Sequence, residues 1–373
     1  MKALYEQVYQ ALKQDIVSGK YKAGDRVPSE KELSEDFRVS RITSKKALEK
    51  LVEDGTVYRQ RGKGTFVSGD QEARRVVQDN ERKPLFGLIV TAFDDTYGTK
   101  LISSIEEASD GKCFVILKRS LGQPVKEEKM IKELLEFGVD GLLIYPAEAE
   151  HYSSEILKMV VNRFPFVLID RCFKGVAATS VSTDNTAAAK MGVEYLFDLG
   201  HEHIGIVSPR AIGITTVEDR LDGIVQAYAE RNAVVDRQLW LTAIESTQPS
   251  SGATMDQDIE QIKKHLARNL HITALFAMEY NIAVLAKRAA EQLGLRVPED
   301  LSILCFDGPE PSLQSWNFTR ILQDEKALGE LAIRRLLEMM DGESANRQDF
   351  LPATLVQGHS VLPNTAASKP VSS

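Results

Sequence analysis

Eight lysines and arginines fall between Arg38 and Lys63, against three acids, on a chain of 373 residues whose formal net charge is −8. At that density, ammonium and guanidinium groups can neutralise phosphates, so the chemistry on offer is the binding of a polyanion such as duplex nucleic acid. Residues 1–70 hold 14 cations and 11 anions, and the remainder of the chain is correspondingly acidic. Phosphates would repel that remainder, so one small basic module has to make any such contact. The alternative reading is a helix face of ordinary solvated lysines.

A second set of chemically capable residues is scattered, and each member follows a short apolar run: Phe93, Asp94 and Tyr97, then Tyr145, then Asp170 and Arg171, and further on Arg220, Glu279, Tyr280 and Asp307. Carboxylates and guanidinium groups can pair with adjacent hydroxyls while an aromatic ring covers an apolar face, which is the chemistry of binding a polyhydroxyl ligand. Asp170 and Asp307 have a second reading as caps of helices or turns, a common use of acids at strand ends.

Other chemistries find little support. His201 and His203 lie two apart at a helix-to-strand junction with no cysteine or acid to complete a ligand set, so no metal is expected. Gly62-Lys63-Gly64-Thr65 lacks the spacing of a phosphate loop, and there is no GxSxG or HExxH, so neither hydrolytic catalysis nor a cofactor is expected. Cys113, Cys172 and Cys305 are far apart and suit a structural role in a reducing compartment. The charged, helix-patterned start and the lack of a membrane-length apolar run predict a cytoplasmic protein with no membrane contact.

The elements that must position these residues fall into two groups. Leu4, Val8, Ala11, Leu12 and Ile16 form a helical stripe that ends at Ser18-Gly19. Ser29 and Glu32 have capping-box spacing, Ser40 and Thr43 mark a second helix start, and Ala47, Leu48, Leu51 and Val52 repeat at helical spacing up to Gly55. Thr56–Arg59, Gln60–Gly64 and Thr65–Val67 read as strand, turn and strand, so residues 1–68 are predicted to form a winged helix-turn-helix. Residues 69–84 are polar without sustained periodicity and read as a linker. From Leu85, strands alternate with amphipathic helices: Leu85–Thr91, Cys113–Lys118, Gly141–Tyr145, Phe166–Asp170, Ser180–Thr183, Ile204–Ser208, Ala274–Ala277, Leu301–Phe306 and a last strand near Thr354–Gln357. This pattern argues for an α/β body, residues 85–363, of parallel sheets flanked by helices, most economically two doubly wound lobes with a cleft between them. Residues 364–373 are expected to be a disordered tail.

The run Pro28-Ser29-Glu30-x-Glu32-Leu33, with Val39-Ser40-Arg41, Ala47-Leu48, Leu51, Gly55 and Gly62-x-Gly64-Thr65-Phe66-Val67, resembles the winged helix-turn-helix of the gluconate-repressor (GntR) family. The resemblance implies double-stranded operator DNA as partner, contacted from the helices by Lys31, Ser40, Arg41, Thr43 and Lys45 and from the wing by Arg61, Gly62 and Lys63. It also expects arginine where Lys31 and Lys45 stand, and glycine at Arg38.

The body resembles the effector domain of the lactose- and galactose-repressor family, which is similar to periplasmic sugar-binding proteins. The residues that carry this are Asp140-Gly141-Leu142-Leu143, Ile169-Asp170-Arg171, Asp184-Asn185, Leu199-Gly200-His201, Arg220-x-x-Gly223, Val297-Pro298, Phe306-Asp307 and Gln323-Asp324. By this resemblance one lobe is residues 85–182 with 324–350 and the other is 183–323 with 351–363, and Arg220 stands where the family's inducer-contacting arginine lies. Glu279-Tyr280 replaces a usual asparagine and aspartate. A gluconate-repressor head on a lactose-repressor body is the architecture of arabinose-responsive repressors, which implies a homodimer released from its operator by a small sugar, with L-arabinose the first candidate. An activator is the alternative within this class. From a different class, a head of this kind fused to a pyridoxal-dependent aminotransferase-like body would need a Schiff-base lysine and would absorb visible light.

Overall fold

The structure is a computed structural model that describes residues 4–60, 64–68, 82–147, 153–172, 175, 177–210, 214–248, 251–310, 316–343 and 346–364. The chain divides into two compact units, Met1–Lys83 and Pro84–Ser373. Arg61, Gly62 and Lys63, most of the expected linker and the tail beyond residue 364 lie outside the described residues.

The first unit contains α1 (Leu4–Val17), α2 (Glu30–Asp36), α3 (Arg41–Glu53), β1 (Val57–Gln60) and β2 (Gly64–Val67). Ser29 and Glu32 form the reciprocal capping box at α2, and Ser40 caps α3 by accepting from Thr43 N. Each cap satisfies backbone donors that the first helical turn leaves unpaired. Val8, Leu12, Leu33, Ala47, Leu48 and Leu51 close a core with Val27, Val57 and Val67. β1 and β2 pair antiparallel, with Tyr58 opposite Phe66.

The second unit has two six-stranded sheets. Lobe one contains β3 (Leu85–Val90), β4 (Phe114–Arg119), β5 (Gly141–Ile144), β6 (Phe166–Ile169), β7 (Thr179–Thr183) and β13 (Gln348–Leu351), ordered β13-β7-β6-β5-β3-β4 and all parallel. Lobe two contains β8 (Ile204–Pro209), β9 (Trp240–Ile244), β10 (Ala274–Ala277), β11 (Ser302–Phe306), β12 (Thr319–Leu322) and β14 (Thr354–Val356), ordered β14-β12-β11-β10-β8-β9 with only β14 antiparallel. The helices are α4 (Thr99–Ser109), α5 (Pro124–Phe137), α6 (Ser154–Asn162), α7 (Asn185–Asp198), α8 (Thr215–Glu230), α9 (Met255–Arg268), α10 (Tyr280–Gln292) and α11 (Glu325–Met340). Apolar clusters cover both faces of each sheet, which is why the central strands read as unbroken apolar runs.

Strands β9, β12 and β13 were not expected from the sequence. The chain passes between the lobes three times, at Thr183–Asn185, at Gln323–Glu325 and between β13 and β14. Among the described residues, no helix is long and apolar enough to cross a membrane.

Candidate functional site

In lobe one, α/β geometry brings the loops after β3, β5 and β6 to the carboxyl end of the sheet; in lobe two the loops after β10 and β11 and the start of α8 do the same. Between them is a cavity of about 180 Å³ lined by Phe93, Asp94, Tyr97, Tyr145, Asp170, Arg171, Arg220, Glu279, Tyr280 and Asp307, all ten of the residues singled out in the sequence. Thr216, Thr247, Gln248, Asn281 and Gln323 also line it. None of these five is distinguished in the sequence as a site residue. Gln323 carried the clearest signal, being a polar residue directly after the short run Thr319–Leu322.

On the lobe-one side, Tyr97 Oη donates to Asp170 Oδ1 at 2.8 Å, and the Tyr97 and Tyr145 rings meet edge to face at 6.5 Å. Arg171 donates through Nη1 to Pro146 O and Ala147 O at 3.2 and 3.0 Å, with its guanidinium 5.1 Å from the Tyr145 ring. Burial holds the Tyr97 and Tyr145 hydroxyls well above the usual phenol range, so both stay protonated donors. Asp94 is used within its own loop, accepting from Thr96 N at 2.7 Å and Tyr97 N at 3.3 Å.

On the lobe-two side, Arg220 is buried and fixed on three sides: Nε donates to Asn185 Oδ1 and Nη1 to Met278 O, both at 2.7 Å, and its plane lies 3.7 Å from the Phe306 ring. Asp307 accepts from Gln323 Nε2 at 2.7 Å and Gln323 N at 3.2 Å. Burial raises its carboxyl to about 6, against the pull of Arg220 and of these bonds. Burial also raises Glu279, which stands at the N-cap of α10 but makes no capping bond there. The helix caps at the crossings are Asp184 and Asp324. Asp170 and Asp307 cap no helix, each turning instead into the cavity lining.

Three buried lining atoms, Arg171 Nε, Thr247 Oγ1 and Gln323 Oε1, have no hydrogen-bond partner among the described residues, Arg171 Nε lying 3.8 Å from Asp170 Oδ2. A donor, an acceptor and a hydroxyl left unsatisfied around a cavity are what a hydroxylated ligand would complete. Four carboxylates line the space against two guanidinium groups.

His201 is a structural side chain, bonded to Thr273 Oγ1 at 3.0 Å and Leu362 O at 2.9 Å, and no cluster of possible metal ligands occurs among the described residues.

In the first unit, Lys46 and Lys50 face α1, stacked over Tyr5 and Tyr9, and Lys50 pairs with Glu6 at 3.3 Å. Lys31, Arg41, Lys45 and Lys46 are the exposed cations of α2 and α3. Lys45 lies 3.7 Å from Glu49. Lys31 and Arg41, from two different helices, border one depression with Gly64 and Thr65 of β2. Ser40 and Thr43 bond each other at 2.8 Å. Arg38 has φ 50, the left-handed conformation that suits the glycine expected at this place.

Residues 4–67 match the family model described as bacterial regulatory proteins, gntR family, and residues 193–361 match the periplasmic binding protein-like domain. The arabinose metabolism transcriptional repressor of Geobacillus stearothermophilus is 24% identical over 352 residues, 92% of this chain and 93% of that protein. The ribose operon repressor of Haemophilus influenzae is 25% identical over 262 residues, 70% of this chain and 75% of that protein. Among solved structures, the lac repressor dimer bound to operator and an anti-inducer superposes with a TM-score of 0.63 at 21% identity, over 77% of this chain and 98% of that one. The chain therefore joins a gntR-type DNA-reading head to a periplasmic-binding-protein-like body with the fold of lactose-repressor effector domains.

Proposed function

We propose that this chain is a sugar-responsive transcriptional repressor, with no enzymatic activity, whose operator affinity is set by one monosaccharide bound between the lobes, L-arabinose being the first candidate. The observation that carries the reading is the convergence of Asp170, Arg171, Arg220, Glu279 and Asp307 with Tyr97 and Tyr145 around one small cavity in a chain that carries a DNA-reading head. At about 180 Å³ the space is below the roughly 300–1,000 Å³ of pockets for drug-sized ligands, which favours a single ring over a disaccharide. The excess of carboxylates disfavours a sugar phosphate.

The head reads operator DNA through Lys31, Ser40, Arg41, Thr43 and Lys45, with Arg61, Gly62 and Lys63 at the wing. Arg41 opens α3 exposed to solvent, where a guanidinium can reach a base edge. One head offers little contact area, so the working unit is a two-fold homodimer on half-sites about 34–36 Å apart.

By linkage, sugar and operator oppose each other's binding. The test is calorimetric titration of L-arabinose, D-ribose and other neutral monosaccharides into the full chain. It is combined with gel-shift titration on DNA enriched by the chain from a random pool, with and without sugar. The expected result is one sugar per chain and weakened DNA binding in its presence. No heat with any neutral monosaccharide would reject the effector class, and a monomer by sedimentation with a single half-site footprint would reject the dimer.

A further inference from the structure

Among the described residues, three crossings pass movement of one lobe covalently to the other, and two of them are hydrogen-bonded to charged residues of the cavity. Gln323, in the second crossing, lines the cavity itself and holds Asp307. Asn185, in the first, is buried outside the lining and holds Arg220. We propose that Asn185 is a positioning residue that ties Arg220 to the first crossing, so that a ligand drawing on Arg220 changes the angle between the lobes. This inference rests on the reading of the cavity as the effector site.

The geometry of Asn185 assigns its two ends. Arg220 Nε can only donate, so the group 2.7 Å away is the amide oxygen. The amide nitrogen then faces Thr183 O, to which it donates at 3.2 Å. Thr183 ends β7 in lobe one and stands opposite Leu351, and Asp184 N donates to Leu351 O at 2.9 Å, so the first crossing is stitched to the third. One side chain thus connects a guanidinium in the cavity to two of the three crossings. Arg220 has little other slack, being fixed by Met278 O and the Phe306 ring.

The approach that makes this bond possible depends on Gly223. A β-carbon there would lie 2.1 Å from Thr186 O, so α8 can lie against the start of α7 only if this position has no side chain. Arg220 and Gly223 are three residues apart on one helix face, and the close contact at Gly223 carries Arg220 to Asn185.

Replacing Asn185 separates its two bonds. Asn185→Asp keeps an acceptor for Arg220 Nε but cannot donate to Thr183 O, whereas Asn185→Ala removes both bonds. In the full chain, L-arabinose affinity is measured by calorimetry without DNA, and operator affinity with and without saturating L-arabinose. The ratio of the two operator constants is the coupling factor, of the order of 5–150-fold for typical allosteric proteins. The expected result for Asn185→Asp is a coupling factor near one with L-arabinose affinity changed far less than the coupling. Asn185→Ala is expected to lose coupling and also to bind the sugar more weakly, with sugar-free operator affinity preserved in both variants.

A merely structural role would move sugar affinity and coupling together, so Asn185→Asp losing sugar binding as fully as Asn185→Ala overturns the proposal. So does wild-type coupling in either variant, and if thermal unfolding shows that Asn185→Asp does not fold, wild-type coupling in Asn185→Ala still overturns it. A wild-type chain that binds no neutral monosaccharide, or whose operator affinity ignores the one it binds, defeats the effector reading first and this inference with it.

Discussion

Asp170 and Asp307 are counterparts across the cavity. Each directly follows a central strand, β6 or β11, each has a left-handed backbone with φ 68 or 58, and each donates its backbone N–H at 2.9 Å to the next strand, at Val181 O or Ile321 O. The two sheets therefore present a carboxylate from the same structural place, one toward Tyr97 and the other toward Gln323. A non-glycine residue in this conformation costs about 1–3 kcal/mol and persists where surrounding structure over-determines it.

Asp307 sets a pH dependence. Its carboxyl is raised by burial to about 6 in the folded chain, above its ordinary value near 3.8, so the native state holds this proton more tightly than the unfolded state. Stability from this group is therefore highest at or below about pH 4 and is lost as pH rises through about 6. Asp307→Asn removes the titration. The difference in unfolding free energy, wild type minus variant, is expected to grow by about 2 kcal/mol between pH 7 and pH 4, read from urea midpoints. A flat difference would show that Asp307 titrates normally.

Arg220→Ala should give a repressor that stays on its operator. Sugar-free operator affinity is expected to remain within a few fold, while L-arabinose no longer weakens it, because the lost group faces the cavity. The truncation leaves Asn185 Oδ1 and Met278 O without their donors, and a fall of roughly 1–3 kcal/mol in stability should accompany it. Unchanged sugar affinity by calorimetry would place the ligand elsewhere.

Gly223→Ala adds one methyl group where Thr186 O is 2.1 Å away. The helices must separate, at a cost of about 1–3 kcal/mol by chemical denaturation. Because Arg220 is on the same face, the stabilisation given by whichever monosaccharide the wild-type chain binds should shrink as well in a thermal-shift measurement. A variant with wild-type stability and wild-type sugar response would show that α7 and α8 have room to part freely.

For DNA, Arg41→Ala is expected to lose roughly 1–3 kcal/mol on the preferred operator and to blur preference at one base pair. Equal losses on specific and random duplexes would assign Arg41 to phosphate instead. Competition gel shifts at a fixed salt concentration separate the two.

What was legible in the sequence follows from what burial imposes on residue type. β3, β5, β6, β8, β10 and β11 are buried on both faces and announce themselves as apolar runs; residues following β3, β5, β6, β10 and β11 supplied nine of the ten lining residues, and Arg220 comes from α8. β13 lies at a sheet edge and is half exposed, so Gln348–Leu351 lacks such a run, while β9, Trp-Leu-Thr-Ala-Ile, lies at the other sheet's edge and is only partly buried. β12 hides a buried arginine, Arg320, whose Nη1 is satisfied by Pro309 O at 2.8 Å, a pairing that spacing does not reveal. Thr215 and Thr216 look like loop residues by type, yet they open α8 and are buried. Asn185 was visible only as half of Asp184-Asn185; that it reaches Arg220 depends on two helices meeting at Gly223, a relation between distant segments.

The strand order also schedules the chain's own assembly. β13 completes the lobe-one sheet beside β7, but it is translated only after every lobe-two strand except β14. At about 5–20 residues per second, the β7 edge of lobe one waits on the order of ten seconds or more on the ribosome without its neighbour. During that interval an unpaired strand edge is open to wrong partners, another nascent chain included. Neither lobe is one continuous stretch, so neither can be excised or exchanged by moving a single segment of the gene.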